Sequence, residues 1–132
     1  MFELTINGVV YHFNFGLGFM RDINKKLTRG LSDDIPAAKK NVGLQFAVAG
    51  IIDNDLETLL EVLDIANKDQ KPRVTVNALC DYIDNECDDI DALFAEVLDF
   101  FKKTNATKKT TEAVLAMIEE EKAKAKAEAE QN

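Results

Sequence analysis

The chain has 132 residues, of which 46% are apolar and 30% charged, with no Trp, two Pro, two Cys and a formal net charge of −8. That length sets a single domain with enough apolar side chains for a core. The negative balance argues against a nucleic-acid or anionic-membrane partner, since both require a basic surface, and two cysteines do not make a disulfide framework.

At the start, Met1-Phe2-Glu3-Leu4 lacks the basic start and long apolar stretch of a signal peptide, which reads as an intracellular protein. Residues 2–15 read FELTINGVVYHFNF. Asn-Gly between alternating apolar residues predicts a β-hairpin turning at Asn7-Gly8. A two-residue turn pairs Ile6 with Val9, Leu4 with Tyr11 and Phe2 with Phe13, all on one face, and sets Thr5 against Val10 and Glu3 against His12 on the other. An isolated hairpin is marginal in water. It therefore lies on the helices as a lid, or offers an edge to another chain. In the second case Phe2, Leu4, Tyr11 and Phe13 are the candidate self-association residues.

Gly16 and Gly18 end the strand, and Phe19, Ile23 and Leu27 recur at helical spacing, with Arg29-Gly30 as a stop. The loop LSDDIP follows, and Pro36 suits a first helical position. The next helix runs from about Pro36 to Ile52. Between Val42 and Ile52 only Gln45 is polar. A helix apolar all round is normally buried all round, and this run is far below the ~20 residues that span a bilayer. It is the expected central helix, and its Gly43, Ala47, Ala49 and Gly50 allow close approach of neighbours.

Asp53-Asn54-Asp55 caps a further helix with the stripe Leu56, Leu59, Leu60 and Leu63, widened by Val62 and Ile65, and with Glu57 and Glu61 toward solvent. Thr75 is an N-cap for a helix with the stripe Val76, Leu79, Cys80, Ile83 and Cys87, so both thiols sit at core spacing. Asp88 or Asp89 starts the next helix, whose stripe is Ile90, Leu93, Phe94, Val97, Leu98 and Phe101. Phe100 falls at its edge and is expected to be exposed. Lys102 and Lys103 oppose the dipole, and Asn105 is the expected C-cap. From about Thr107 a last helix begins. Val114, Leu115, Met117 and Ile118 can pack, but beyond Glu119 Ala is the only apolar residue, so that part is solvated or disordered.

The expected architecture is therefore mainly α (α+β): a hairpin at 2–15 followed by about five to six helices. Residues 1–105 form one globular domain, and 106–132 a helical, partly solvated or disordered tail.

The stretch from Val74 to Phe101 has eight acids and no Lys or Arg. A calcium loop starting at Asp84 would place Asp89 where an EF-hand needs Gly and Ala95 where it needs Glu. What remains is an acidic turn that caps the following helix, or a docking surface for a basic partner. On the second reading Tyr82, Asp88, Asp89, Asp91 and Phe100 are the candidate partner-binding residues. No phosphate loop, nucleophile elbow or zinc-binding motif is present, and His12 opposite Glu3 reads as a surface pair. No catalytic residue, metal or cofactor is expected.

Three segments carry a resemblance: FELTINGVVYHFNFGLGFMRDINKK, GLQFAVAGIIDNDLETLLEVLDIANK and DYIDNECDDIDALFAEVLDFFKKTNATKKT. Over residues 1 to about 112 the chain resembles the tail assembly chaperones of long-tailed phages and prophages of Gram-positive bacteria. The likeness is one of overall pattern and transfers no catalytic residue. It implies a non-enzymatic protein of the host cytoplasm, not expected in the mature virion. Such a protein transiently binds the tape measure protein, keeps it soluble, and helps bring tail tube subunits to it. It also implies self-association along a fibre and, in many such phages, a longer frameshifted form of which this chain would be the short one. The competing reading is a prophage regulatory adaptor that binds one folded protein.

Overall fold

A computed structural model describes residues 1–27 and 41–130. The expected Arg29-Gly30 stop, the LSDDIP loop and the Pro36 helix start lie outside the described residues.

Asn7 (φ 51°) and Gly8 (φ 80°) both take the left-handed conformation. A two-residue turn of this kind matches the twist of its flanking strands. Strands β1 (Phe2–Ile6) and β2 (Val9–Phe13) consequently pair in the expected register, Phe2 with Phe13, Leu4 with Tyr11 and Ile6 with Val9. Phe2, Leu4, Ile6 and Phe13 are buried, whereas Val9 and Val10 at the tip are exposed. The inner face of the hairpin thus covers the core.

Among the described residues six helices follow: α1 (Leu17–Leu27), α2 (Val42–Ile52), α3 (Leu56–Asn67), α4 (Val76–Asp81), α5 (Ile90–Lys103) and α6 (Lys108–Glu130). The central position expected of α2 is observed, since it packs on α1, α3, α5 and α6. Its small residues make this possible. A Cβ on Gly43 would lie 2.5 Å from the Asn24 Cα of α1, and one on Gly50 would strike the Thr58 side chain of α3. The start of α2 is held from α1 as well, where Asn24 Oδ1 accepts from the Leu44 amide at 2.7 Å. The expectation of all-round burial fails on one side. Leu44, Ala47, Val48 and Ile51 are buried, but Gln45 is exposed and Phe46 is 52% exposed, because the neighbouring helices leave that flank open.

Asn54 (φ 57°) closes α2. The Asp55 amide donates to Gly50 O at 2.9 Å and the Asn54 amide to Ile51 O at 3.2 Å, a Schellman closure with Asn where Gly is usual. Asp55 then caps α3, accepting from the Glu57 amide at 3.2 Å and the Thr58 hydroxyl at 2.8 Å. Leu59, Val62, Leu63 and Ile65 are buried as expected. Leu56 is not, at 50% exposure in the first turn, and Glu61 is half-buried beside Lys26 of α1.

Thr75 caps α4 by accepting from the Ala78 amide at 3.0 Å. The α4 stripe departs from expectation. Leu79 is buried, but Val76 is 45% exposed and Cys80, Ile83 and Cys87 are half-buried. After six residues the helix opens into one π-helical turn, Tyr82–Glu86. Such a turn adds a residue to the repeat, so side chains beyond it fall out of phase with the α-helical stripe.

Asp89 caps α5, accepting from the Ala92 amide at 3.0 Å. The C-cap is Thr104 rather than Asn105: its hydroxyl donates to Phe100 O at 2.7 Å. Thr107 and Thr111 are both fully buried; the Thr107 hydroxyl donates to Phe101 O at 2.7 Å, and the Thr111 hydroxyl donates to Thr107 O at 2.8 Å with Phe101 O at 3.4 Å. The segment that starts α6 thus satisfies the Phe101 carbonyl that α5 leaves open at its end. Val114 is buried, Leu115 and Ile118 are half-buried, and Met117 is exposed. From Glu119 onward α6 continues as a fully exposed helix.

The core has an aromatic side. Phe15 meets Phe19 at 5.2 Å, Phe101 at 5.3 Å and Phe2 at 5.9 Å between ring centroids, and Phe2 meets Phe13 at 5.7 Å. These rings join the hairpin to α1 and α5.

Candidate functional site

β1 runs alongside the stretch that carries the acids. At one end the Phe2 ring meets Phe100 at 5.4 Å. At the other, the Asn7 amide donates to both carboxylate oxygens of Glu86 at 3.1 Å. Between these two contacts lies a groove of about 240 Å³ lined by Leu4, Tyr82, Cys87, Asp88, Asp89, Ala92, Leu93 and Glu96. Buried Leu4 and Leu93 line it together with the exposed residues Asp88, Asp89 and Glu96, which bring three carboxylates.

The π turn shapes one wall. The Cys87 amide donates to Tyr82 O at 2.8 Å, which brings Tyr82 and Cys87 side by side. Burial is the main cause raising the Tyr82 hydroxyl above its ordinary pKa of 10.0, reinforced by Cys87 and by the nearby carboxylates Glu86 and Glu96.

The acids divide into two kinds. Asp81 accepts from Asn85 at 2.7 Å, Glu86 holds the hairpin tip, Asp89 caps α5, and Asp99 pairs with Lys103 at 2.7 Å. Asp84, Asp88, Asp91 and Glu96 are exposed and take part in no ion pair or side-chain hydrogen bond among the described residues.

Of the expected partner-binding residues, the structure gathers Tyr82, Asp88 and Asp89 on one groove. Asp91 stands in the exposed first turn of α5, outside it. Phe100 is half-buried between Phe2 and Phe15, not exposed, because the hairpin covers that edge of the α5 stripe. Of the expected self-association residues, Phe2, Leu4 and Phe13 are buried and Tyr11 is half-buried, all against the chain's own core. Sequence reasoning missed Ala92, Leu93 and Glu96 as groove residues, and Leu4 as part of its lining. Leu93 carried only a core signal, and the approach of β1 to α5 leaves no local trace.

A second cleft, of about 390 Å³, is lined by Asp22, Lys25, Lys26, Asp64, Ile65, Lys68 and Arg73. Its cations are largely neutralised: Arg73 pairs with Asp64 at 2.9 Å, Lys68 with Asp22 at 3.4 Å, and Lys26 with Glu61. No group of three or more His, Cys, Asp or Glu is placed to hold a metal among the described residues. No described helix is long and apolar enough to cross a membrane.

A hairpin laid on a helical bundle, with a groove between them that carries three carboxylates, defines a small α+β protein. The model of one family, phage tail assembly chaperone protein, TAC, matches residues 3–115. The chain belongs to that family. Nothing matches among curated proteins or among solved structures.

Proposed function

We propose that this chaperone transiently binds the tape measure protein in the cytoplasm of the host, keeps it soluble, and helps bring tail tube subunits to it before leaving the finished tail. The observation that carries this reading is the family match over residues 3–115. The protein acts by binding and carries out no catalysis. The groove around Tyr82, Asp88 and Asp89 is the partner surface, with Asp91 extending its charge. Phe100 supports the surface through Phe2 rather than touching the partner itself.

Several copies act on one long partner. Because the inner face of the hairpin is occupied, copies meet through the strand edge and tip, where Thr5, Val9 and Val10 are exposed. A short exposed edge of this kind is a template for pairing with a neighbour.

The test is co-expression with the tape measure protein of the same phage, measuring soluble yield and the mass of any complex. Soluble recovery of the tape measure protein only in the presence of this chain, with several copies per partner, is the expected result. Failure to co-purify with a partner that is soluble alone would overturn the reading. A compact one-to-one complex with a folded protein would instead support a regulatory adaptor.

A further inference from the structure

The groove between β1, the π turn and α5 has a volume of about 240 Å³. That lies below the range of about 300–1,000 Å³ common for small-molecule sites, and suits one or two inserted side chains. Two features restrict what enters. Leu4, Ala92 and Leu93 present an apolar surface, and Asp88, Asp89 and Glu96 stand at its margin.

Helix capping accounts for only part of this charge. Asp89 serves the first turn of α5 directly. Glu96 lies in the second turn, beyond the reach of the helix dipole, and no cation of the described chain pairs with it or with Asp88. The nearest basic residues of α5, Lys102 and Lys103, are at its far end, where Lys103 is taken by Asp99. The groove therefore holds uncompensated negative charge beside apolar surface.

An acidic side chain would be repelled there, and a purely aliphatic one would leave the carboxylates unneutralised. A long cationic side chain satisfies both features, with its stem on the apolar surface and its head among the carboxylates. Arginine fits better than lysine, because its planar guanidinium can engage a carboxylate with two parallel hydrogen bonds and stack on the Tyr82 ring.

We infer that the groove is an anchor pocket for an arginine side chain of the protein partner. The inference rests on the reading of the chain as a protein-binding chaperone. It specifies the chemistry of the side chain recognised: an aliphatic stem that ends in a guanidinium.

The probe is a pair of synthetic 20-residue amphipathic peptides of identical Leu/Ala pattern, one with Arg and one with Glu on the polar face. Binding to the full chain is measured by calorimetry at low and high salt. The Arg peptide is expected to bind, with affinity falling as salt rises, and the Glu peptide is not. Three substitutions locate the contact. Ala92→Trp fills the groove from an exposed helix position without changing charge, Glu96→Gln removes one rim carboxylate, and Asp53→Asn removes an exposed charge elsewhere. The first two should weaken Arg-peptide binding at least about fivefold, while Asp53→Asn leaves it within about twofold. Should Ala92→Trp lower the melting temperature, Glu96→Gln against Asp53→Asn still decides the matter.

Equal weakening by Glu96→Gln and Asp53→Asn would overturn the inference in favour of diffuse charge attraction. Groove-specific peptide binding without rescue of the tape measure protein would remove the proposed function and keep the pocket. Rescue that is indifferent to Ala92→Trp and Glu96→Gln would do the reverse.

Discussion

Asn67 ties the hairpin to the end of α3 and to the loop that follows it. It is fully buried at the end of α3. Its amide nitrogen donates to His12 O at 2.9 Å and Pro72 O at 3.2 Å, and its oxygen accepts from the Val74 amide at 2.7 Å and from Arg73 at 3.2 Å. Every bond available to the side chain is therefore made. Replacing it by Ala strands the buried Val74 amide and frees the part-buried His12 carbonyl, and is expected to cost about 3 kcal/mol, read as a drop in the urea midpoint at unchanged slope. Tyr82 makes a second prediction, one of pH. Below its ordinary value of 10.0 both folded and unfolded chains hold the phenol proton, so Tyr82 adds no pH dependence. Above it the unfolded chain loses that proton first and binds fewer protons than the folded one, so stability falls as pH rises toward the raised folded value. Denaturation series on either side of pH ~10 should show a shallower alkaline loss for Tyr82→Phe than for the parent chain. An unchanged slope would mean that the hydroxyl is not held protonated by the fold.

Among the elements, α2 carries the tightest constraint. At Gly43 the backbone of α1 approaches so closely that a methyl group would lie 2.6 Å from Ile23 O as well as against Asn24. Gly43→Ala gains helix propensity but must push two helices apart, and a net loss of about 2 kcal/mol is expected. Gly18 is the internal control. A Cβ there meets nothing within 4 Å, so Gly18→Ala should stabilise the chain by about 0.5 kcal/mol. Thermal melts of the two variants moving in the same direction would show that packing at the α1–α2 crossing does not decide the sign. The π turn makes the complementary point. Nothing in YIDNE marks it as different from a continued helix. It exists where the end of α4, the hairpin tip and the start of α5 must meet, and it sets Glu86 under the Asn7 amide.

For the whole molecule, α6 separates into a packed beginning and an exposed remainder. Thr107, Thr111 and Val114 are buried against the preceding helices, whereas residues 119–130 are exposed throughout. A chain ending at Glu119 should keep its stability within about 0.5 kcal/mol. One ending at Ala106 removes the hydroxyls from Phe101 O and uncovers part of α2 and α5, and should lose about 3 kcal/mol or more. Chemical denaturation of the two truncations distinguishes a packed α6 from a mere appendage.

Local physics was enough for several features of this protein. The Asn7-Gly8 turn and its register follow from a two-residue loop and a period-2 pattern. The caps Asp55, Thr75 and Asp89 follow from short polar side chains before apolar stripes, and the central place of α2 follows from its composition. The acid excess between Val74 and Phe101 is likewise a property of the residues alone. What only the tertiary structure decided is which of those residues share a surface. Tyr82, Asp88 and Asp89 line a groove with Leu4 and Glu96, while Asp91 lies outside its lining and Phe100 is packed against Phe2. The open flank of α2 at Phe46 and the outward Val76 were decided in the same way. A periodic pattern states which side of a helix is apolar. Whether that side is covered depends on the path of segments far away in the chain, and the hairpin closing over α5 is such a segment.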